Sequence, residues 1–150
     1  MADRLEIPRR EDFTFFHPLR VRWSEVDRQD VVFNPNYFVY FDVAAGEYWR
    51  ATGFRYPQDL SGTDIFTVDA RARFLASATY DDELLIGCRT SRVGRTSMVA
   101  SLAIYRREEL LTVGEIVYVH TELATKRPAA WPDAVVDAFV RYERVAPARG

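Results

Sequence analysis

A long segment with helical spacing, apolar around most of its circumference, constrains the fold of this chain more than any other feature. Asn34 followed by Pro35 is typical of a helix start, because proline at the first helical position needs no N–H donor. Apolar residues then recur at helical intervals as far as Trp49, and Gly53 suits the left-handed cap that ends a helix. A helix of this kind, roughly 25 Å long, must be wrapped by other elements.

The wrapping is supplied by segments that alternate apolar and polar residues. The predicted strands span 13–23, 68–74, 84–93, 96–105 and 110–121. Leu19, Val21 and Trp23 are expected on the buried side of the first strand, and a short terminal helix is predicted at 132–142. The tight turn Gly94-Arg95 makes two of the strands a hairpin. The fold class is therefore α+β, an antiparallel sheet around one helix, and its open edges predict a dimer or larger oligomer.

Length and charge limit the classes of protein that this chain can be. Its 150 residues favour a single domain, predicted to span 13–150 behind a flexible N-terminal arm at 1–12. The formal net charge of −2 and the lack of a basic stripe disfavour nucleic-acid binding. No apolar run approaches the roughly 20 residues that cross a bilayer, so no membrane insertion is expected. The lone Cys88 and the charged N-terminus predict a cytoplasmic location.

An acidic loop, residues 24–34, leads directly into the start of the predicted helix. It carries Glu25, Asp27 and Asp30. A helix N-terminus presents backbone N–H groups and the positive end of the helix dipole, which together polarise a carbonyl group. A carboxylate beside it can attack that carbonyl or activate a water molecule. The residues alone leave two interpretations of Asp27 open, an acyl-transfer site and an ordinary solvated loop acid.

The segment from Trp23 to Tyr37 resembles the motif of hot-dog thioesterases of the hydroxybenzoyl-CoA thioesterase branch. The motif runs from an aromatic residue through an aspartate, a glycine and a hydrophobic-valine pair to an Asn/Ser-Tyr pair. The corresponding residues in this chain are Trp23, Asp27, Asp30, Val31-Val32 and Asn36-Tyr37. Later segments follow in the family's order, so the resemblance covers about residues 17–142. It implies the hot-dog fold, a curved antiparallel β-sheet wrapped around one long central helix.

The same resemblance implies an acyl-CoA thioesterase that uses no cofactor and no metal. Asp27 would be the nucleophile or general base, and the backbone N–H of Asn34 would bind the thioester carbonyl. The family places its active sites at dimer interfaces, which implies a homodimer or homotetramer. The candidate residues for lining the acyl pocket are Trp23, Phe33 and Tyr37, and Asn36 is a further candidate for binding the substrate. The candidate cations for the phosphates of coenzyme A are Arg92, Arg95, Lys126 and Arg127.

Two departures from the family motif keep other functions open. Asp30 stands where the family often has glycine; aspartate tolerates a left-handed backbone, but it adds a negative charge close to Asp27. Some relatives have a histidine near the helix start, where this chain has Asn34. The alternative is a hot-dog protein that binds acyl-CoA or an acyl carrier without hydrolysing it. A dehydratase is disfavoured because it needs a histidine paired with an acid there, and a purely structural domain would bind no acyl-CoA.

The remaining reactive side chains are predicted to be structural. His17 and His120 lack the spacing of metal ligands. Glu47 is a helical acid of the kind that another thioesterase branch uses, and it is expected to pair with Arg50 or another neighbour instead. A serine hydrolase is disfavoured because the chain has no Gly-x-Ser-x-Gly.

Overall fold

The computed structural model describes residues 4–150, and it has the predicted α+β arrangement. The regular elements in chain order are β1 (Phe15–Arg20), α1 (Pro35–Thr52), β2 (Thr63–Phe74), β3 (Glu83–Val93), β4 (Ser97–Arg106), β5 (Glu109–Glu122), α2 (Asp133–Tyr142) and β6 (Ala148–Arg149). The strands form one sheet in the order β1-β3-β4-β5-β2, with antiparallel neighbours, and β6 pairs in parallel with β3. The division into an arm at 1–12 and a domain at 13–150 stays a prediction, and residues 1–3 lie outside the described residues.

The main core lies between α1 and the sheet, and α1 also contacts α2. The helix approaches the sheet most closely where Phe41 covers Gly114 of β5. A Cβ atom on Gly114 would lie 2.4 Å from Cε2 of the Phe41 ring. Phe41 itself is fully buried. Glycine is therefore required at this position by the packing of the helix rather than by a turn.

The two ends of α1 differ in how well they match the sequence prediction. Gly53 ends the helix with φ of +91°, and its N–H donates to the carbonyl of Arg50 at 3.1 Å, so the predicted left-handed cap is confirmed. Asn34 occupies the N-cap position, but its backbone is already helical and its side chain makes no capping hydrogen bond. The predicted helix start at Asn34 is therefore confirmed, although Asn34 does not cap the helix through its side chain. Tighter backbone turns satisfy the first amides of the helix instead.

The first strand is shorter than predicted, and Trp23 is not on its buried side. β1 ends at Arg20, and Val21 pairs with the turn before β3 through its N–H to the Asp82 carbonyl at 3.0 Å and its carbonyl to the Asp81 N–H at 3.1 Å. A 3-10 turn, Trp23–Glu25, follows and rotates the Trp23 side chain outward, leaving the residue 79% exposed. β2 starts earlier than predicted and has a bulge between Thr67 and Asp69.

A buried acid fixes the end of α2 to the rest of the domain. The Glu143 side chain is inaccessible to solvent and accepts a hydrogen bond from the Tyr48 hydroxyl at 2.9 Å. That hydroxyl also lies 2.9 Å from Oγ1 of Thr90, and the Arg89 Nε lies 4.0 Å from the second Glu143 oxygen. Burial raises the pKa of Glu143 to about 7, although Tyr48 and Arg89 favour the ionised form.

We expect Glu143 to make the protein less stable as pH rises. Its pKa is higher in the folded chain than the ordinary value of 4.5, so folding favours the protonated form and this stabilisation is lost between about pH 4.5 and 7. Replacing Glu143 with Gln removes the titration. The free energy of unfolding of the variant, relative to wild type, should increase by about 2 kcal/mol from pH 5 to pH 8 in urea titrations. Glu47, which forms an exposed ion pair with Arg50, provides the control, and Glu47→Gln should show no such increase. If the free energy of unfolding of Glu143→Gln differed from that of wild type by the same amount at every pH, the prediction would be contradicted.

Candidate active site

The acidic loop closes on itself immediately before α1. Val26 and Val32 form an antiparallel bridge, and the Asp27 N–H donates to the Val31 carbonyl at 2.8 Å. Asp30 turns the chain with φ of +62°, which confirms that an aspartate can hold the left-handed position here. The Asp30 N–H donates to the Asp27 carbonyl at 3.1 Å. The backbone of Asp27 is therefore held within a small, hydrogen-bonded loop.

The Asp27 carboxylate is only partly used by this loop. Its Oδ1 accepts the Gln29 N–H at 2.7 Å, which is a local turn that orients the side chain. Among residues 4–150, no donor lies within hydrogen-bond distance of its Oδ2. The residue is partly exposed, so that oxygen is open to a ligand or to water.

Contacts with the segment before β3 place the loop at one end of the sheet. The Val32 N–H donates to the Ala78 carbonyl at 2.9 Å, and the Thr79 hydroxyl donates to the Asp30 carbonyl at 2.6 Å. β3 begins four residues after Thr79, at Glu83. The acidic loop (residues 24–34, called the Asp27 loop below) therefore lies beside the first residues of β3.

At the start of α1 one backbone donor remains available. Pro35 has no N–H, the Asn36 N–H donates to the Phe33 carbonyl at 2.8 Å, and the Tyr37 N–H donates to the Asn34 carbonyl at 3.2 Å. The Asn34 N–H has no acceptor in the part of the chain that the structure describes, and the residue is exposed. A carboxylate oxygen and a backbone N–H are thus both available at the positive end of the α1 dipole. Such a pair can polarise a carbonyl group while a nucleophile attacks it.

Of the four predicted substrate-binding residues near Asp27, two are exposed and two have side chains held by hydrogen bonds to other residues. Trp23 and Phe33 are exposed beside the loop, and the Trp23 ring lies 5.9 Å from that of Tyr80. The Asn36 side chain donates to the Glu25 carbonyl at 2.9 Å. Tyr37 is buried, and its hydroxyl accepts the Ala78 N–H at 3.0 Å. Substrate binding by these four residues stays a prediction.

The predicted coenzyme A cations lie at the other end of the domain. Arg92 is close to the end of β3, and Arg95 is in the turn that follows this strand. Lys126 and Arg127 are in the loop after β5, where the Arg127 carbonyl accepts a hydrogen bond from the Glu122 N–H at 2.8 Å. Ten residue steps along β3, at about 3.3 Å each, separate this end from the Asp27 end by roughly 33 Å. The four cations and Asp27 of one chain are therefore not brought together.

Sequence reasoning missed a cation that is close to Asp27. Arg28 follows Asp27 directly, is exposed, and makes no ion pair or hydrogen bond with any residue in 4–150. Its adjacency to the aspartate was the signal that could have identified it. Arg22, the next arginine toward the N-terminus, differs because it is paired with Glu25 at 2.7 Å.

The other reactive residues have structural surroundings. The Arg50 guanidinium donates to Glu47 at 2.7 Å, which confirms the predicted pair. His120 is buried, with Nε2 2.8 Å from the Thr63 hydroxyl, and its ring stacks on Trp131. Burial raises the pKa of the Cys88 thiol. Within the described residues no group of three or more His, Cys, Asp or Glu could hold a metal ion, and no helix is long and apolar enough to span a membrane.

Comparison with known proteins identifies relatives of the chain in sequence and in structure. The model of the thioesterase superfamily matches residues 29–113. The acyl-CoA thioesterase YbgC of Haemophilus influenzae is 26% identical over 130 residues, which cover 85% of this chain and 96% of that protein. The PA5185 protein of Pseudomonas aeruginosa has a TM-score of 0.79 at 26% identity, over 91% of this chain and 96% of that one.

A third similarity concerns the fold alone. A 1,4-dihydroxy-2-naphthoyl-CoA thioesterase from Synechocystis has a TM-score of 0.78 at 18% identity, over 83% of this chain and 94% of that one. The family match includes α1, the strands β2 to β4 and the start of β5, so it covers the central helix and most of the sheet. The predicted family and the predicted fold class are thereby confirmed. This chain belongs to the thioesterase superfamily and has its hot-dog fold.

Proposed function

We propose that this protein is an acyl-CoA thioesterase, which hydrolyses a thioester to a carboxylic acid and coenzyme A. The observation that supports this proposal most is that two residues of one hydrogen-bonded loop before α1 each keep a group available, Asp27 a carboxylate oxygen and Asn34 a backbone N–H. The similarity to a protein named acyl-CoA thioesterase, YbgC of Haemophilus influenzae, supports the substrate class.

In the proposed reaction the thioester carbonyl oxygen accepts a hydrogen bond from the Asn34 N–H. The negative charge that develops on this oxygen is stabilised by the N–H and by the helix dipole. Asp27 either attacks the carbonyl carbon, giving an anhydride that water then hydrolyses, or removes a proton from an attacking water molecule. Both routes expel the coenzyme A thiolate, and both remain open.

We further propose that the protein acts as a homodimer or homotetramer. β2 is an edge strand of the sheet, and its apolar residues Phe66, Val68 and Phe74 are exposed. Pairing of this edge with a second copy would cover them. Because the four candidate phosphate-binding cations are far from Asp27 of their own chain, they would serve the site of a neighbouring copy. Arg28 would supply a cation from the same chain.

The exposed aromatic residues suggest where the acyl group binds. Trp23 and Phe33 flank the Asp27 loop and offer apolar surface to either an aromatic ring or an aliphatic chain. The proposed location is the cytoplasm, where a lone, buried Cys88 would remain a thiol.

The experiment that tests the proposed activity is thiol release from a panel of esters. The panel contains acetyl-CoA to palmitoyl-CoA, benzoyl-CoA and hydroxybenzoyl-CoA. We expect wild type to hydrolyse at least one of them with kcat/KM of about 10⁴ per M per s or more. Absence of hydrolysis together with an increase in Tm on adding an ester would support the non-hydrolysing binder. Absence of both would support a structural domain, because a ligand stabilises only a protein that binds it.

A further inference from the structure

The third acid of the loop, Glu25, is buried although it lies only two residues from Asp27. The residue is 6% exposed. Its Oε1 accepts the backbone N–H of Arg22 at 2.8 Å and the hydroxyl of Tyr40 at 2.9 Å. Its Oε2 accepts Nε and Nη2 of Arg22 at 3.0 and 2.7 Å. Burial alone would raise the pKa of Glu25, but these hydrogen bonds hold that pKa below its ordinary value.

The backbone carbonyl of Glu25 adds a second set of contacts. It accepts the Phe33 N–H and the Asn36 side-chain N–H, both at 2.9 Å. Phe33 and Asn36 bracket the segment that carries the Asn34 N–H. With Tyr40 in the second turn of α1, Glu25 thus contacts the residue Arg22 before the loop, the end of the loop and the helix at the same time.

These contacts determine where Asp27 lies relative to α1. The Val26–Val32 bridge lies between Glu25 and Asp27, and the Asp27 backbone is held by hydrogen bonds with Val31 and Asp30. Movement of Glu25 would therefore shift the Asp27 carboxylate and the Asn34 N–H independently of each other. Misplacing a reacting group by about 1 Å can lower a rate by roughly 10²-fold.

Stability alone does not account for an acid at this position. A buried ion pair must recover the cost of removing both charges from water. Apolar residues of similar size in its place often stabilise a protein to the same degree or more. The Arg22 side chain is also 74% exposed, so solvent screens much of the attraction between the two charges. What the carboxylate adds over an apolar side chain is four directed contacts that specify one geometry.

We propose that Glu25 is a positioning residue for thioester hydrolysis, which clamps the Asp27 loop to α1 so that the Asp27 carboxylate and the Asn34 N–H face the same carbonyl group. Glu25 acts through Asp27 and Asn34 and does not touch the substrate. The inference rests on the proposed function, because the proposed function is what assigns the reaction to Asp27.

The test compares Glu25→Gln with a matched control. Glutamine has the same shape, but its amide nitrogen is a donor facing Arg22 or Tyr40, so at least one contact is lost. Arg55 and Asp59 repeat the arrangement beyond the other end of α1, where Asp59 accepts the Arg55 backbone N–H at 2.8 Å and two guanidinium nitrogens at 3.1 and 2.8 Å. With the ester of the panel that wild type hydrolyses fastest, Glu25→Gln should lower kcat by about 10- to 100-fold at nearly unchanged KM. Asp59→Asn should change neither constant.

A double variant separates positioning from general stability. In the Asp27→Asn background, Glu25→Gln should lower the residual rate by a much smaller factor than it lowers the wild-type rate, because the Asp27 carboxylate that it positions is already absent. A purely structural role would lower activity in both backgrounds in proportion to the folded fraction, which circular dichroism measures. If Glu25→Gln does not fold, Tyr40→Phe removes one contact only and should lower kcat by about 3- to 10-fold.

The possible failures of the two proposals differ. A folded Glu25→Gln variant with wild-type kcat, alongside an inactive Asp27→Asn variant, would overturn the positioning role only. If Glu25→Gln does not fold, wild-type kcat in Tyr40→Phe would do the same. Wild-type turnover by Asp27→Asn, or no turnover of any ester by wild type, would overturn the proposed function and the inference with it.

Discussion

Replacing Asp27 with Asn is expected to lower kcat by about 10³-fold or more while the fold persists. Asparagine has the same shape as aspartate and keeps an oxygen for the Gln29 N–H, so the local turn is retained. It has no negative charge with which to attack a carbonyl or to accept a proton from water. Steady-state thiol release measures kcat and KM, and circular dichroism with gel filtration verifies the folded, assembled state.

The neighbouring acid provides the control for this variant. Asp30→Asn removes one negative charge from the same loop, and asparagine tolerates the left-handed backbone that Asp30 adopts. Its kcat is expected to stay within a few-fold of wild type, or to rise, since a charge beside Asp27 has been removed. A large loss in Asp30→Asn with little change in Asp27→Asn would contradict the assignment of the reacting carboxylate.

The largest expected change in stability comes from Gly114→Ala. The new Cβ would lie 2.4 and 2.5 Å from Cε2 and Cζ of Phe41, and real Cβ atoms do not approach other atoms so closely. Phe41 is fully buried in the close-packed core between α1 and the sheet, so a shift of its ring must displace other core side chains. Overpacking of this kind typically destabilises a protein by about 1–3 kcal/mol, and we expect the upper part of that range.

Gly46 of α1 offers a matched control for this substitution. Apart from its chain neighbours and the nearby backbone of α1, no atom of the described residues lies within 4 Å of the place where its Cβ would be added. Alanine is favoured over glycine in a helix by about 1 kcal/mol, so Gly46→Ala should be neutral or stabilising. Urea unfolding at one protein concentration, followed by tryptophan fluorescence, measures both variants. Equal stability of Gly114→Ala and wild type would contradict the observed packing of α1 on β5.

Local sequence signals were sufficient for most of the fold. Pro35 and Gly53 bound α1 as predicted, and alternation with tight turns located the strands of the sheet. Trp23 was misplaced because the end of β1 depends on Val21, which pairs with Asp81 and Asp82 rather than with its sequence neighbours. Alternating patterns carry no information about such distant contacts.

The candidate site was only partly accessible to sequence reasoning. Asp27 and Asn34 stand out because they precede a clear helix start. Glu25 has the same local signal as a solvated loop acid, and its burial depends on Tyr40 reaching back from the second turn of α1. An arginine three residues before it, Arg22, was the available cue. The separation of the four candidate cations from Asp27 depends on the length and direction of β3, which motif matching does not include.

The most direct test of the central claim is a single-turnover reaction with equal amounts of enzyme and the best ester of the panel. Mass spectrometry would quantify the ester, the acid and free coenzyme A for wild type and Asp27→Asn. We expect wild type to form acid and coenzyme A in equal amounts, and Asp27→Asn to leave the ester intact over the same time. An ester that stays intact with wild type, or that both proteins hydrolyse at the same rate, would contradict Asp27-dependent thioester hydrolysis.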